Sequence, residues 1–305
     1  MHIRRRLATD GTIVVETRED DRGSWQHSDQ KAALGYEPAF SPAWEVAQAV
    51  AHGAGDEGAV LPFQPLSFRD FSIFEEHNVG AAHGYVARFR PNLSRVARGF
   101  EAVTRSTFPP LRPRKLWYQQ PTYYMGNAAT VVPSGVPVSA PAYTRALDYE
   151  LELGFVLRDP LRDASPAEAE DAIGAFVLLC DFSARDVQIP EMDSGFGPQK
   201  AKHFLTSLAT TAVAAADLLP VWTGLRSTVT INGEVVARPD ARTPRWSLGE
   251  LLAHASAGEQ LYPGELFGTG SLTRGCGMEI GRWLQPGDRL RLETDGVGVI
   301  EHAIA

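Results

Sequence analysis

The chain has 305 residues, 44% of them hydrophobic and 22% charged, with a formal net charge of −8 and a pI near 5.5. That length holds one sizeable core, or a core with a smaller attached domain, and the acidic balance argues against a nucleic-acid or membrane-surface partner, because phosphate binding needs a concentrated basic surface. Apolar runs such as Ile173 to Cys180 fall far short of the roughly 18 residues of a membrane span; Arg4–Arg6 lead into TIVVETREDD, so no secretory signal is read; and the two distant cysteines, Cys180 and Cys276, fit a reducing, cytoplasmic setting without a disulfide framework.

In chain order, residues 3–17 predict two short strands around Asp10-Gly11, a dipeptide suited to a tight hairpin turn. Ser41 is placed to cap a helix, Pro42 suits its first position, and Gly53 can end it. The Gly- and Pro-rich stretch from Gly53 to Pro65 marks a boundary, giving a small N-terminal α/β domain over 1–66 and a main domain over 67–305. After Asp70, the spacing of Phe71, Phe74, Asn78 and Ala81 predicts a helix with one apolar side. A Pro-rich run from Phe108 to Pro121 precedes a strand-like pattern over 122–157. Ser165-Pro166-Ala167-Glu168 is a capping-box signature, and Gly174 to Asp181 reads as a buried strand. From 227 onward, STVTING, DRLRLETDG and VGVIEHAI are divided by Asn-Gly, Pro-Gly and Asp-Gly, which predicts a β-rich roll or sandwich. The fold class is α+β, mainly β.

Chemistry concentrates in DYELELGFVL, residues 148–157. On a strand, Asp148, Glu150 and Glu152 share one face while Tyr149, Leu151 and Leu153 share the other. Two readings fit: a solvated polar face, or carboxylates converging on a hard divalent ion such as Mg2+, Mn2+ or Ca2+. A second strand favours the ion, because its apolar run ends in Asp181, and a carboxylate closing a buried strand is poorly explained by solvation.

The pair DYELE and CDFSARDVQ resembles the fumarylacetoacetate hydrolase family, whose motifs run D-x-E-x-E and D-x-S-A-R-D-x-Q. RDFSIFEEH at 69–77, YYMGNAATVVPSG at 123–135, FGPQKAKHFLTS at 196–207 and FGTGSLTRGCGMEIGRWLQPGD at 267–288 follow in the family's order, so the likeness covers 67–305. It implies a mixed β-sandwich roll as catalytic domain, a Mg2+-type cofactor with Mn2+ or Ca2+ as substitutes, and a homodimer. Its metal carboxylates fall on Glu150, Glu152 and Asp181, with Asp70 as a fourth acid seven residues before His77, close to two helical turns. Its catalytic His–Glu pair falls on His77 and Glu279, its metal-side lysine on Lys202, and a nearby threonine on Thr206. Tyr124, Arg185, Gln188 and Thr269 match positions near substrate or metal; Arg185 has a second reading as a structural salt-bridge partner of Asp186 or another acid. Ala201-Lys202-His203 departs from the family's Gly-Lys-Ser or Gly-Lys-Asp. The basic stretch 84–115 is also long, and either lines the pocket or lies on the surface.

The expected reaction is hydrolysis of a C–C bond in a small anionic β-dicarbonyl, an acylpyruvate or a fumarylacetoacetate-like diketone. The ion would chelate the substrate's two oxygens and stabilise an enolate, His77 oriented by Glu279 would activate water, and Lys202 would offset developing charge. The same platform serves decarboxylases, isomerases and hydratases of 2-oxo acids. A non-catalytic binding protein on the fold is the remaining reading.

Overall fold

The computed structural model describes residues 1–20 and 22–305. At the start, β1 (His2–Leu7) and β2 (Ile13–Arg18) pair antiparallel around Asp10-Gly11. The turn works as the dipeptide predicts: Gly11 adopts φ 82°, open only to a residue without a Cβ penalty, and the Asp10 carboxylate accepts from the Thr12 N–H at 2.9 Å. β3 (Gln26–Ser28) extends β2, and β4 (Ala59–Val60) pairs with β1. Between them the helix Pro42–His52 begins where the Ser41 side chain accepts from the Trp44 N–H, and it stops at Gly53.

The remaining strands are β5 (Phe68–Phe71), β6 (Tyr123–Gly126), β7 (Val131–Pro133), β8 (Leu147–Asp148), β9 (Leu151–Leu157), β10 (Ile173–Asp181), β11 (Ser183–Ala184), β12 (Thr206–Ala214), β13 (Ser227–Ile231), β14 (Glu234–Ala237), β15 (Leu266–Gly268), β16 (Arg289–Thr294) and β17 (Gly298–Ala303). The large sheet runs β3-β2-β1-β12-β10-β9-β15-β5-β6, with β4 and β7 attached to β1 and β12. β14-β13-β16-β17 form a second, antiparallel sheet, and β8 pairs with β11. This is the α+β, mainly β architecture read from the sequence. The pairing of β1 with β12, His2 opposite Val213, makes the N-terminal hairpin part of the same sheet as the central strands.

The core lies around β9 and β10, where all of Leu151–Leu157 is buried. A strand covered on both faces favours apolar residues on both, and this explains why IGAFVLLC, and LELGFVL apart from the site residue Glu152, lose the alternation of a half-exposed strand. Phe155 stacks on Phe267 at 5.6 Å and leans on Phe176 at 6.3 Å; aromatic pairs of this kind contribute about 0.5–1.5 kcal/mol beyond the area they bury. β9 and β10 are in register so that Leu179 faces Glu152, and the Asp181 N–H donates to the Glu150 carbonyl at 3.1 Å. Both metal-type motifs are thereby brought to one end of the core.

One local expectation is corrected and another refined. The helix expected from Phe71 begins at Glu75 (Glu75–Phe89), because Phe68–Phe71 is held as a strand between β15, parallel, and β6, antiparallel. Asp70 and His77 therefore lie on different elements, not two turns apart on one helix. The acidic strand is also not continuous: β8 ends at Asp148, β9 starts at Leu151, and Glu150 makes a single bridge to Cys276. Asp148 and Glu150 nonetheless stay on one side, both bonded to the Arg185 guanidinium, while Glu152 lies farther along beside Asp70 and Asp181.

The basic stretch is two helices, the second being Pro91–Thr104, followed by turns. Arg88, Arg90, Arg95, Arg98, Arg105, Arg112, Arg114 and Lys115 are all exposed, which supports the surface reading. Among the described residues, no helix is long and apolar enough to cross a membrane.

Candidate active site

Asp70 at the end of β5, Glu152 in β9 and Asp181 closing β10 are fully or almost fully buried and place carboxylate oxygens within 4.8 Å of one another. Three strands adjacent or near-adjacent in the sheet deliver them. β15 makes room: a Cβ on Gly268 would collide with an Asp70 oxygen and lie 2.9 Å from Glu152 Oε2, so the backbone there must be bare. Asp70 Oδ1 and both oxygens of Glu152 are buried without a hydrogen-bond partner. Burial, reinforced by the Asp181 charge, pushes Asp70 up to about 8, and burial beside Asp70 drives Glu152 well above the usual carboxylate range.

Glu150 adjoins this trio but is already engaged. Its Oε2 accepts from Lys202 Nζ, which also donates to Asp181, and its Oε1 accepts from Arg185 at 3.0 Å. Burial alone would raise Glu150; the Arg185 and Lys202 charges outweigh it and hold the carboxyl below its ordinary range. Burial likewise opposes the charge on Lys202, and Asp181 and Glu150 reverse that and keep the ammonium protonated. Tyr124 donates to Asp181 Oδ2 at 2.6 Å, and Thr206 to Asp181 Oδ1 at 3.4 Å. Asp148, Glu150 and Asp181 thus share one ammonium and one guanidinium, and ionising Asp70 and Glu152 as well would leave negative charge that a divalent cation would cancel.

His77 stands in the first turn of the helix Glu75–Phe89, and Glu279 on the short helix Gly277–Ile280. His77 Nδ1 is 2.9 Å from Glu279 Oε2, and Nε2 is 3.6 Å from Glu150 Oε1. Burial disfavours the imidazolium, but the Glu279 and Glu150 carboxylates outweigh it and raise His77 above its ordinary value. Glu279 is itself fixed by the Arg274 backbone N–H at 2.9 Å and the Cys276 thiol at 3.4 Å.

The other sequence candidates are placed as follows. The Arg185 guanidinium donates to Asp148 at 2.8 Å, Gln188 at 2.9 Å and Glu150, so it is a buried ion-pair partner, though not of Asp186, which accepts from Thr144 and the Arg145 N–H. Gln188 points its oxygen at Arg185. Thr269 is fully buried and ties the end of β15 to β9, accepting from the Leu153 N–H at 3.3 Å. Its side chain does not line an open site.

Residues 99–305 match the family model of the fumarylacetoacetate (FAA) hydrolase C-terminal region. The chain belongs to the fumarylacetoacetate hydrolase family. A mitochondrial oxaloacetate tautomerase of Homo sapiens is 30% identical over 152 residues, 50% of this chain and 69% of that protein. Among solved structures, 5-carboxymethyl-2-hydroxymuconate delta-isomerase from Mycobacterium smegmatis superposes with a TM-score of 0.65 at 20% identity, covering 100% of this chain and 99% of that one. Fumarylpyruvate hydrolase from Pseudomonas aeruginosa, in complex with Mn2+ and pyruvate, gives 0.57 at 19% identity, covering 79% and 96%. The last two likenesses show the fold.

The family is divalent-metal dependent, and this site fits such an ion. The test is the donor set: buried, unpartnered carboxylate oxygens without sulfur or nitrogen suit a hard cation and are costly without one. The family also contains hydrolases, isomerases and tautomerases acting on small oxo acids. Sequence reasoning missed three contributors. Asp148 accepts from Arg185 and from the N–H groups of Gly277 and Met278 at 2.9 and 3.1 Å, anchoring the helix that carries Glu279. Cys276 and Arg274 hold Glu279 directly. The signal for Asp148 was its place in D-x-E-x-E; the signal for the other two was only their nearness to Glu279.

Proposed function

We propose that this chain is a Mg2+-dependent hydrolase, with Mn2+ as the next candidate ion, that cleaves a C–C bond in a β-dicarbonyl acid of the acylpyruvate or fumarylacetoacetate type. The observation that carries this reading is the His77–Glu279 pair beside the carboxylate cluster. Asp70, Glu152 and Asp181, with Glu150 alongside, are the residues that would hold the ion, which supplies a Lewis acid for the oxygens of a 2-oxo acid.

The chain's own groups then have distinct tasks. His77 takes a proton from water at Nε2, while Glu279 fixes the ring through Nδ1 and offsets the imidazolium charge. The oxygen of that water adds to the acyl carbonyl carbon. The bond from that carbon to the neighbouring CH2 breaks, its electron pair passes to the CH2 carbon, and the His77 proton ends there. One water and one acylpyruvate thus give a carboxylic acid and pyruvate. Lys202, already poised between Glu150 and Asp181, offsets the negative charge that develops on the oxygens.

A second reading, proton transfer or decarboxylation on a 2-oxo acid, draws support from the match to an oxaloacetate tautomerase. Those reactions need no water-activating base in the hydrolytic sense. The deciding experiment offers acylpyruvates, fumarylacetoacetate-like diketones and oxaloacetate with metal present, follows loss of enol absorbance and identifies the products. Turnover that survives His77→Ala but not Glu150→Ala would sink the hydrolase reading.

A further inference from the structure

We propose that His77, Cys276 and Glu279 form a second cation site, separate from the oxygen-only cluster, that takes a soft or borderline ion of the Zn2+ class. A His77 ring nitrogen, Cys276 Sγ and a Glu279 oxygen all lie within 4.8 Å of one another, with Nδ1 to Oε2 at 2.9 Å and Sγ to Oε2 at 3.4 Å. One nitrogen, one sulfur and one oxygen at these separations are the donors zinc selects, and three protein ligands leave the fourth tetrahedral position open. The oxygen-only trio of Asp70, Glu152 and Asp181 has the opposite preference, so the two sites sort ions by hardness.

The ligands are fixed by independent parts of the fold. Cys276 precedes the helix Gly277–Ile280 and is bridged to Glu150, with its side chain fully buried. The Arg274 N–H holds the other oxygen of Glu279. His77 arrives from a different helix, which Gly80 and Gly84 let approach closely: a Cβ at Gly80 would meet Glu279 Oε1 at 3.0 Å. Binding releases the Cys276 thiol proton, and any proton on Nδ1, to solvent; no oxidant or reductant takes part. The site itself does not depend on which reaction the enzyme runs. Its consequence rests on the hydrolase reading: an ion on Nδ1 and Glu279 disables the base, so Zn2+ inhibits without displacing Mg2+.

The test uses the full chain saturated with Mg2+, which is spectroscopically silent, and titrates Co2+ as a stand-in for Zn2+. One equivalent should produce thiolate-to-cobalt charge-transfer absorption in the near ultraviolet, and Zn2+ should abolish it. Cys276→Ser should remove that absorption and weaken Zn2+ binding by at least the roughly 10–100-fold that loss of a ligand's supporting hydrogen bond costs; Cys180→Ser should change neither. Co2+ binding to the wild type without thiolate absorption overturns the proposal, and so does absorption that survives Cys276→Ser. The wild-type spectrum decides even if a variant fails to fold. A wrong assignment of the reaction would leave the spectrum intact while removing the expected inhibition.

Discussion

Replacing Gly84 by Ala tests whether the distance between two helices sets the reaction. Gly84 lies seven residues beyond His77 on the same helix, and a Cβ there would fall deep inside the Met278 carbonyl oxygen and 3.1 Å from Met278 Cγ. Met278 neighbours Glu279 and is anchored through its N–H to Asp148, so the short helix cannot give way freely. The long helix must instead move outward by about 1 Å or more, and a displacement of that size at a catalytic group costs roughly 100-fold in rate. The His77–Glu279 bond, 2.9 Å in the wild type, opens while the strand-borne carboxylates stay in place. Overpacking should also cost about 1–3 kcal/mol of stability. Steady-state kinetics should show kcat falling about 100-fold with a smaller change in KM, and isothermal titration should show Mg2+ affinity retained. Gly99→Ala is the matched control: it sits inside the helix Pro91–Thr104 with nothing within 4 Å of the added Cβ. There the substitution should stabilise by roughly 0.5–1 kcal/mol and leave kcat alone. A Gly84→Ala enzyme with wild-type kcat would refute the argument.

Metal removal should be pH-dependent. The folded state raises Asp70 to about 8 from an ordinary 3.8, so its protonated form is stabilised below the ordinary value and that stability is lost as pH rises through about 8; Glu152 is raised too. The melting temperature in EDTA should therefore fall between about pH 4 and 8, and Mg2+ or Mn2+ should restore more at pH 8 than at pH 5. An EDTA melt at pH 8 that matches the metal-loaded one would count against the cation site. His77 must be neutral to act as base, and its value is raised, so the acid limb of the pH–rate profile should lie above His77's ordinary value of 6.5. Glu279→Gln should move that limb to lower pH and reduce the plateau kcat by roughly 100-fold or more; an unmoved limb would remove Glu279 from this role. Asp148→Asn leaves the buried Arg185 undercompensated and should cost about 3–5 kcal/mol in chemical denaturation. A loss under about 1 kcal/mol would mean that Arg185 finds its charge balance elsewhere.

What the sequence revealed, and what it hid, follows from the range of the forces involved. Turns and caps are settled within a few residues, so Asp10-Gly11, Ser41 and Ser165 were legible; Ser165 and Glu168 do form the reciprocal cap. Buried strands announce themselves by unbroken apolar runs, so the end of β10 at Asp181 could be read as a carboxylate facing something other than water. Asp70 was named through the family motif, but the strand that carries it was hidden, because its conformation is set from far away. The spacing of Phe71, Phe74, Asn78 and Ala81 satisfies a helix, yet Phe68–Phe71 gains backbone partners on both sides from residues 123–126 and 266–268. Two ladders outweigh a weak local periodicity. The acidic strand could be read only in part: alternation put the acids on one side, where Arg185 bridges Asp148 and Glu150, but the break in pairing at Tyr149 is set by residues 183–184 and 276, distant in sequence. That break separates the labour of the motif. Glu152 reaches the oxygen cluster, Glu150 meets Lys202 and Arg185, and Asp148 holds the helix that orients His77 through Glu279. One short acidic string therefore connects the cation cluster to the base, and a rule that counts only ligands along it sees half of what it does.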